Sequence, residues 1–111
     1  MFEDCIQHHE EFYVMLLNRS NRVLGISCIS KGGISGTVVD VKIILQTALK
    51  AHATGLIISH NHPSGNLAAS REDIKITEKL KSACQLLDLS LLDHLIITNE
   101  GYLSFADEGI L

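Results

Sequence analysis

Three cysteines in 111 residues, Cys5, Cys28 and Cys84, form no CxxC pair. That excludes a thiolate zinc ribbon and a thioredoxin-type redox pair. Their odd number and wide spacing read as reduced thiols, with Cys28 and Cys84 expected in the interior. Long hydrophobic runs are missing as well. The apolar run Leu56–Ser59 falls far short of the roughly 20 residues a membrane-spanning helix requires. No charged head precedes an apolar stretch at the N-terminus, so no secretory signal is read and a cytoplasmic location without a membrane partner is expected. Basic charge is scarce: 9 Lys and Arg stand against 13 Asp and Glu, a formal net charge of −4. Lys75, Lys79 and Lys81 interleave with Glu72, Asp73 and Glu78, which makes a mixed solvated helix face rather than a basic stripe. Nucleic acid is therefore disfavoured as a partner of this chain. Gly32-Gly33-x-x-Gly36 lacks a following Lys-Ser/Thr and is not a phosphate-binding loop. A zinc deaminase is excluded too, because its Pro-Cys-x-x-Cys element is missing.

What remains suits one compact domain. The chain is 46% hydrophobic and 20% charged, and its length permits about two-thirds of the unfolded surface to be buried without disulfides. Residues 1–8 carry no usable pattern and read as a leader or the remnant of a longer chain. Glu11–Leu17 and Arg22–Ser30 are rich in branched and aromatic residues across the polar turn Asn18–Asn21, which predicts a hairpin. Lys31–Thr37 holds three glycines and is expected as a loop. Val41, Ile44, Leu45, Ala48 and Leu49 recur at helical spacing, predicting a helix over about 40–53 that Gly55 stops. Leu56–His60 reads as an interior strand. Asn61–Ala69, with the single proline, is loop. Ile76, Leu80, Ala83, Cys84 and Leu87 predict a second helix over about 71–88, and Leu91–Thr98 and Tyr102–Phe105 two further strands. The expected fold is α/β, in the order β-β-α-β-α-β-β on one mixed sheet flanked by helices.

Chemistry concentrates in His60-Asn61-His62-Pro63, with Ser70 and Asp73 downstream. Two histidines at i and i+2 in extended chain project to one side and can share a metal ion. Pro63 ends the strand just beyond them, at the carboxyl end where open α/β sheets hold ligands. Ser70 stands where the next helix begins and Asp73 at its N3 position, so capping alone accounts for both. Capping does not account for the two histidines one loop upstream. A loop of this length can fold back and set the Asp73 carboxylate beside both rings. Two nitrogens, one oxygen and an open fourth position make up a catalytic rather than a structural zinc site. Iron and manganese accept the same donors.

The run His60-x-His62-Pro63, six residues, Ser70, two residues, Asp73 matches the JAMM motif of the MPN-domain metallopeptidases. The wording His60-Asn61-His62-Pro63-Ser64-Gly65, Ser70-x-x-Asp73-Ile74, Leu92-Asp93-His94-Leu95-Ile96, Tyr102-x-Ser104-Phe105 and Gly109-Ile110-Leu111 resembles the RadC branch of that family. The likeness covers about residues 9–111, and implies a single MPN (JAB/JAMM)-like domain there. It implies one Zn2+ per chain held by His60, His62 and Asp73, and hydrolysis of peptide or isopeptide bonds in a protein substrate. Glu10, in a segment similar to the family's Glu-x-Phe, would be the general base and Ser70 the oxyanion donor. Periodicity places Glu10 with Phe12, Val14 and Leu16 on the inward face, and leaves Glu11 with Tyr13 and Met15 as the reserve base. One departure is plain: Val39-Asp40-Val41-Lys42 stands where many members carry Pro-Arg-Glu.

The alternative reading is a DNA-repair-associated accessory or a non-catalytic interaction module of the RadC family. Asp93-His94 reads first as a buried hydrogen-bonded pair, with a role at the site as the second choice. His8, His9 and His52 have no partners at ligand spacing and read as surface residues. The edge of the N-terminal hairpin offers a homo-oligomer contact that nothing in the sequence demands.

Overall fold

A computed structural model of the chain describes residues 9–31 and 39–111. The expected leader, with Cys5 and His8, and most of the glycine loop lie outside the described residues. The elements are β1 (Glu11–Leu17), β2 (Val23–Lys31), α1 (Val41–Lys50), β3 (Gly55–Asn61), α2 (Arg71–Leu86), β4 (Ser90–Thr98) and β5 (Gly101–Ser104). They form one five-stranded sheet in the order β2-β1-β3-β4-β5. Pairing is antiparallel except between β3 and β4, which α2 connects as the crossover that a parallel pair requires. The fold is thus the mixed α/β sheet in the expected element order.

Alternation decides which side of the sheet is dry. Phe12, Val14 and Leu16 of β1 and Leu56 and Ile58 of β3 are buried in one cluster with Ile44 and Ala48 of α1 and Leu80 and Cys84 of α2. Each helix contributes residues at i, i+3 and i+7: Val41, Ile44 and Ala48 on α1, Thr77, Leu80 and Cys84 on α2. That spacing is one helical face laid on a sheet. Cys84 belongs to this core, and burial pushes its thiol up to about 11. Cys28 does not: it is exposed. A register shift between Phe12 and Tyr13 pairs Cys28 with Tyr13, on the sheet face away from the core.

Helix ends follow local chemistry. The Asp40 side chain accepts from Lys42 N at 2.9 Å and starts α1. Gly55 does not stop α1. The chain turns earlier, with Ala51 as C-cap and His52 in the left-handed region at φ 56°. Gly55 instead opens β3, where an added Cβ would meet Leu92 Cδ1 at 3.1 Å.

Candidate metal centre

The topology brings three chain ends together at the carboxyl end of β3. Because β1 runs antiparallel to β3, Phe12 pairs with His60 and the start of β1 lies beside the end of β3. Because β4 runs parallel, it advances towards the same end, and Ile96 pairs with His60. The loop after Pro63 then returns α2 so that its first turn faces the histidines. Ser70 caps that turn. Its hydroxyl accepts from Asp73 N at 3.1 Å while the Asp73 carboxylate accepts from Ser70 N at 2.8 Å, a closed capping box.

The same carboxylate meets both rings. His60 Nε2 lies 3.0 Å from Asp73 Oδ1, His62 Nε2 lies 3.1 Å from Asp73 Oδ2, and the two Nε2 atoms are 3.0 Å apart. All three side chains are largely buried, 5% exposed for His60, 12% for His62 and 13% for Asp73. Among the described residues this is the one group of three ligand side chains close enough to share an ion. Burial alone would raise the Asp73 carboxyl, but the hydrogen bonds that the His60 and His62 rings donate to it when protonated outweigh burial and hold the group well below the usual carboxylate range. The hydrogen bond to Asp73 also raises His62 above its ordinary value, against the effect of burial, with the Glu10 charge adding to the rise.

Tautomers test whether the cluster suits a metal. His62 Nδ1 lies 2.7 Å from the Asn66 carbonyl, which only accepts, so Nδ1 carries the proton. A neutral His62 therefore turns its Nε2 lone pair towards His60 and Asp73. A lone pair and a carboxylate at hydrogen-bonding distance repel unless a cation lies between them. A proton meets that need at low pH; a divalent ion meets it otherwise. The donor set fits a metal of the zinc type.

A model of the RadC-like JAB domain family matches residues 1–110. The chain belongs to this family. A UPF0758 protein of Flavobacterium johnsoniae is 55% identical over 102 residues, covering 92% of this chain and 44% of that protein. A UPF0758 protein of Porphyromonas gingivalis is 45% identical over 92% of the chain and 45% of its own length. One from Aquifex aeolicus is 42% identical over 95% and 46%. The RadC-like chain thus spans a little under half the length of these curated relatives.

Within the RadC-like domain the two glutamates diverge. Glu10 is half-buried, one residue before β1, and its charge acts on His62. Glu11 is buried on the opposite face. It accepts from Tyr13 Oη at 2.6 Å and lies 3.1 Å from His9 Nε2, and the bond to Glu11 raises the Tyr13 hydroxyl well above its usual value. His9, expected as a plain surface residue, is thus half of a buried-edge pair. Ser70 sits at the rim, and its bond from Asp73 N uses a lone pair rather than its proton.

Two residues that the sequence reading passed over hold the site in place. Asn61, fully buried, accepts from Glu11 N at 2.7 Å and donates to the His9 carbonyl at 2.8 Å. It therefore grips the backbone on both sides of Glu10. Thr77 stands one turn beyond Asp73 and donates to the Asp73 carbonyl at 2.8 Å. Asp93 and His94 are hydrogen-bonded to each other as expected, but through the His94 backbone rather than its ring. Asp93 binds His94 N, Ser104 Oγ and Ala106 N. The fully buried His94 ring lies against Phe105 and reaches His60 Nδ1 at 2.9 Å. Burial, with the neighbouring His60 charge adding to it, pushes His94 down to about 3, so the ring is neutral.

Proposed function

We propose that this domain hydrolyses peptide or isopeptide bonds with one zinc ion held by His60, His62 and Asp73. The observation that carries the reading is the convergence of two imidazole Nε2 atoms and both Asp73 oxygens within 3.0–3.1 Å. Zinc bound there supplies Lewis acidity, which lowers the pKa of water and polarises a carbonyl. Glu10, whose charge acts on His62, accepts the proton of the attacking water and passes it to the leaving amine. Glu10 is half-buried, whereas Glu11 is turned to Tyr13 and His9. Ser70 Oγ donates its proton to the oxyanion, a contact worth about 2.7–4 kcal/mol where such a donor is lost. Phe12 stacks on the His60 ring at 5.7 Å and 10°, excluding water from that side and holding the ring plane. The substrate is a peptide or protein amide.

Metal analysis by mass spectrometry tests this directly, with wild type beside His62→Ala. About one zinc per chain, lost in the variant, is expected. Glu10→Gln is expected to keep its zinc while losing nearly all turnover on a panel of peptide and isopeptide substrates. Wild type that takes up no metal after incubation with zinc would return the domain to the non-catalytic module reading.

A further inference from the structure

Behind the candidate ligands runs a single chain of hydrogen bonds whose direction is set at its far end. Thr77 Oγ1 lies 2.8 Å from the Asp73 carbonyl oxygen and 2.6 Å from His94 Nδ1. A hydroxyl has one proton, and a carbonyl can only accept it. The remaining partner must therefore donate: His94 Nδ1 carries a proton and gives it to Thr77. In the neutral ring His94 Nε2 is then an acceptor, and it lies 2.9 Å from His60 Nδ1. His60 Nδ1 donates in turn, which leaves the lone pair of His60 on Nε2, the atom that faces His62 and Asp73.

We propose that Thr77 and His94 are positioning residues that hold His60 in its metal-binding tautomer. The relay starts at the backbone of Asp73, itself a candidate ligand, so the cap of α2 and the tautomer of β3 are joined by one path. The two histidine ligands are oriented by different means: His62 by the Asn66 carbonyl at 2.7 Å, His60 through two side chains. A strand irregularity makes this geometry available. The register between β3 and β4 slips between Leu56 and Ile57, so that Leu91 opposes Leu56 while Asp93 opposes Ile57 and His94 opposes Ile58. Leu92 is the extra residue, and the buried phase moves from Leu91 to His94, Ile96 and Thr98. Without it Asp93 would face the core and His94 would turn to the other side. Partners that orient a metal-ligating histidine are typically worth 10–100-fold in metal affinity.

This inference rests on the metal reading above, yet its first measurement does not. Long-range proton–nitrogen spectra of the metal-free protein, recorded about two pH units above the ordinary imidazole value, report each ring's tautomer. His60 and His94 are both expected with the proton on Nδ1. In Thr77→Val the acceptor is gone, and His94 is expected to move its proton to Nε2. That forces His60 into the opposite tautomer, and zinc affinity in a chelator competition should fall about 10–100-fold. His94→Gln keeps an acceptor for His60 and should bind more tightly than His94→Leu. His60 protonated on Nε2 in the wild type would overturn the relay. So would unchanged zinc affinity in Thr77→Val and His94→Leu proteins whose amide spectra show the native fold. If His94→Leu does not fold, the near-isosteric Thr77→Val decides alone. Wild type showing the expected tautomers but no zinc uptake would sink the metal reading and leave the relay standing.

Discussion

Asp73 carries two duties on one carboxylate. Oδ2 closes the capping box with Ser70 N and also faces His62, while Oδ1 faces His60. The two duties separate by substitution. Ser70→Ala removes the acceptor of Asp73 N and is expected to cost about 0.5–2 kcal/mol of stability, read as a shift in urea midpoint, with zinc still bound. Asp73→Asn keeps an oxygen for the cap but loses the charge, so zinc binding should fail while the fold persists. Retained zinc in that variant would reduce Asp73 to a cap. Protons compete at the same residues. The His62 pKa is raised, chiefly by Asp73, and its protonated form cannot ligate. Zinc affinity should therefore begin to fall, as pH is lowered, at a value above the ordinary imidazole pKa of about 6.5. Calorimetric titrations at a series of pH values measure that onset. His94 acts in the other direction on the metal-free fold. An unfolded His94 takes a proton near pH 6.5, whereas the buried ring resists it down to about 3. Acidification through that interval favours the unfolded chain and removes stability.

Among the elements, α1 shows how a helix end can be misplaced by reading glycine alone. Gly55 carries the sequence signal for a stop, yet His52 adopts the left-handed conformation at φ 56°, which histidine enters only at some cost. His52→Gly relieves that cost and offsets part of it through unfolded-state entropy. A net gain of roughly 0.5–1 kcal/mol is expected, visible as a higher urea midpoint; a loss would mean that the His52 side chain contributes packing. β1 was easier to read. Its strict alternation of Phe12, Val14 and Leu16 against Tyr13 and Met15 gives each glutamate a face, because a strand allows only two. β4 could not be read in this way. Its phase changes at Leu92, a residue with no glycine or proline signal, and only pairing with β3 shows the slip.

At the scale of the whole molecule, one sheet with a single helix-covered core sorts the cysteines. Cys84 lies inside that core with its thiol pushed up to about 11, and Cys28 lies on an edge strand in the open. Alkylation of the folded protein, followed by peptide mapping, should label Cys28 rapidly and Cys84 only on unfolding. Comparable early labelling of both would contradict this core. The same architecture decides where the chemistry sits. The antiparallel β1 and parallel β4 carry Glu10 and His94 to the carboxyl end of β3 from opposite sides, and α2 closes over it with Asp73 and Thr77. Among the described residues, no helix is long and apolar enough to cross a membrane.

Local spacing was enough for the element order and for the cluster itself. The period-two projection of His60 and His62, and the cap positions of Ser70 and Asp73, are properties of a few consecutive residues and need no knowledge of distant neighbours. The inward side of β1 was legible for the same reason. What the tertiary structure alone decided are contacts between residues far apart in the chain. Asn61 gripping the backbone around Glu10, Thr77 and His94 backing His60, and Cys28 turned outward all depend on strand register. Register is set by packing across strands, where one extra residue reverses which side chains face the core.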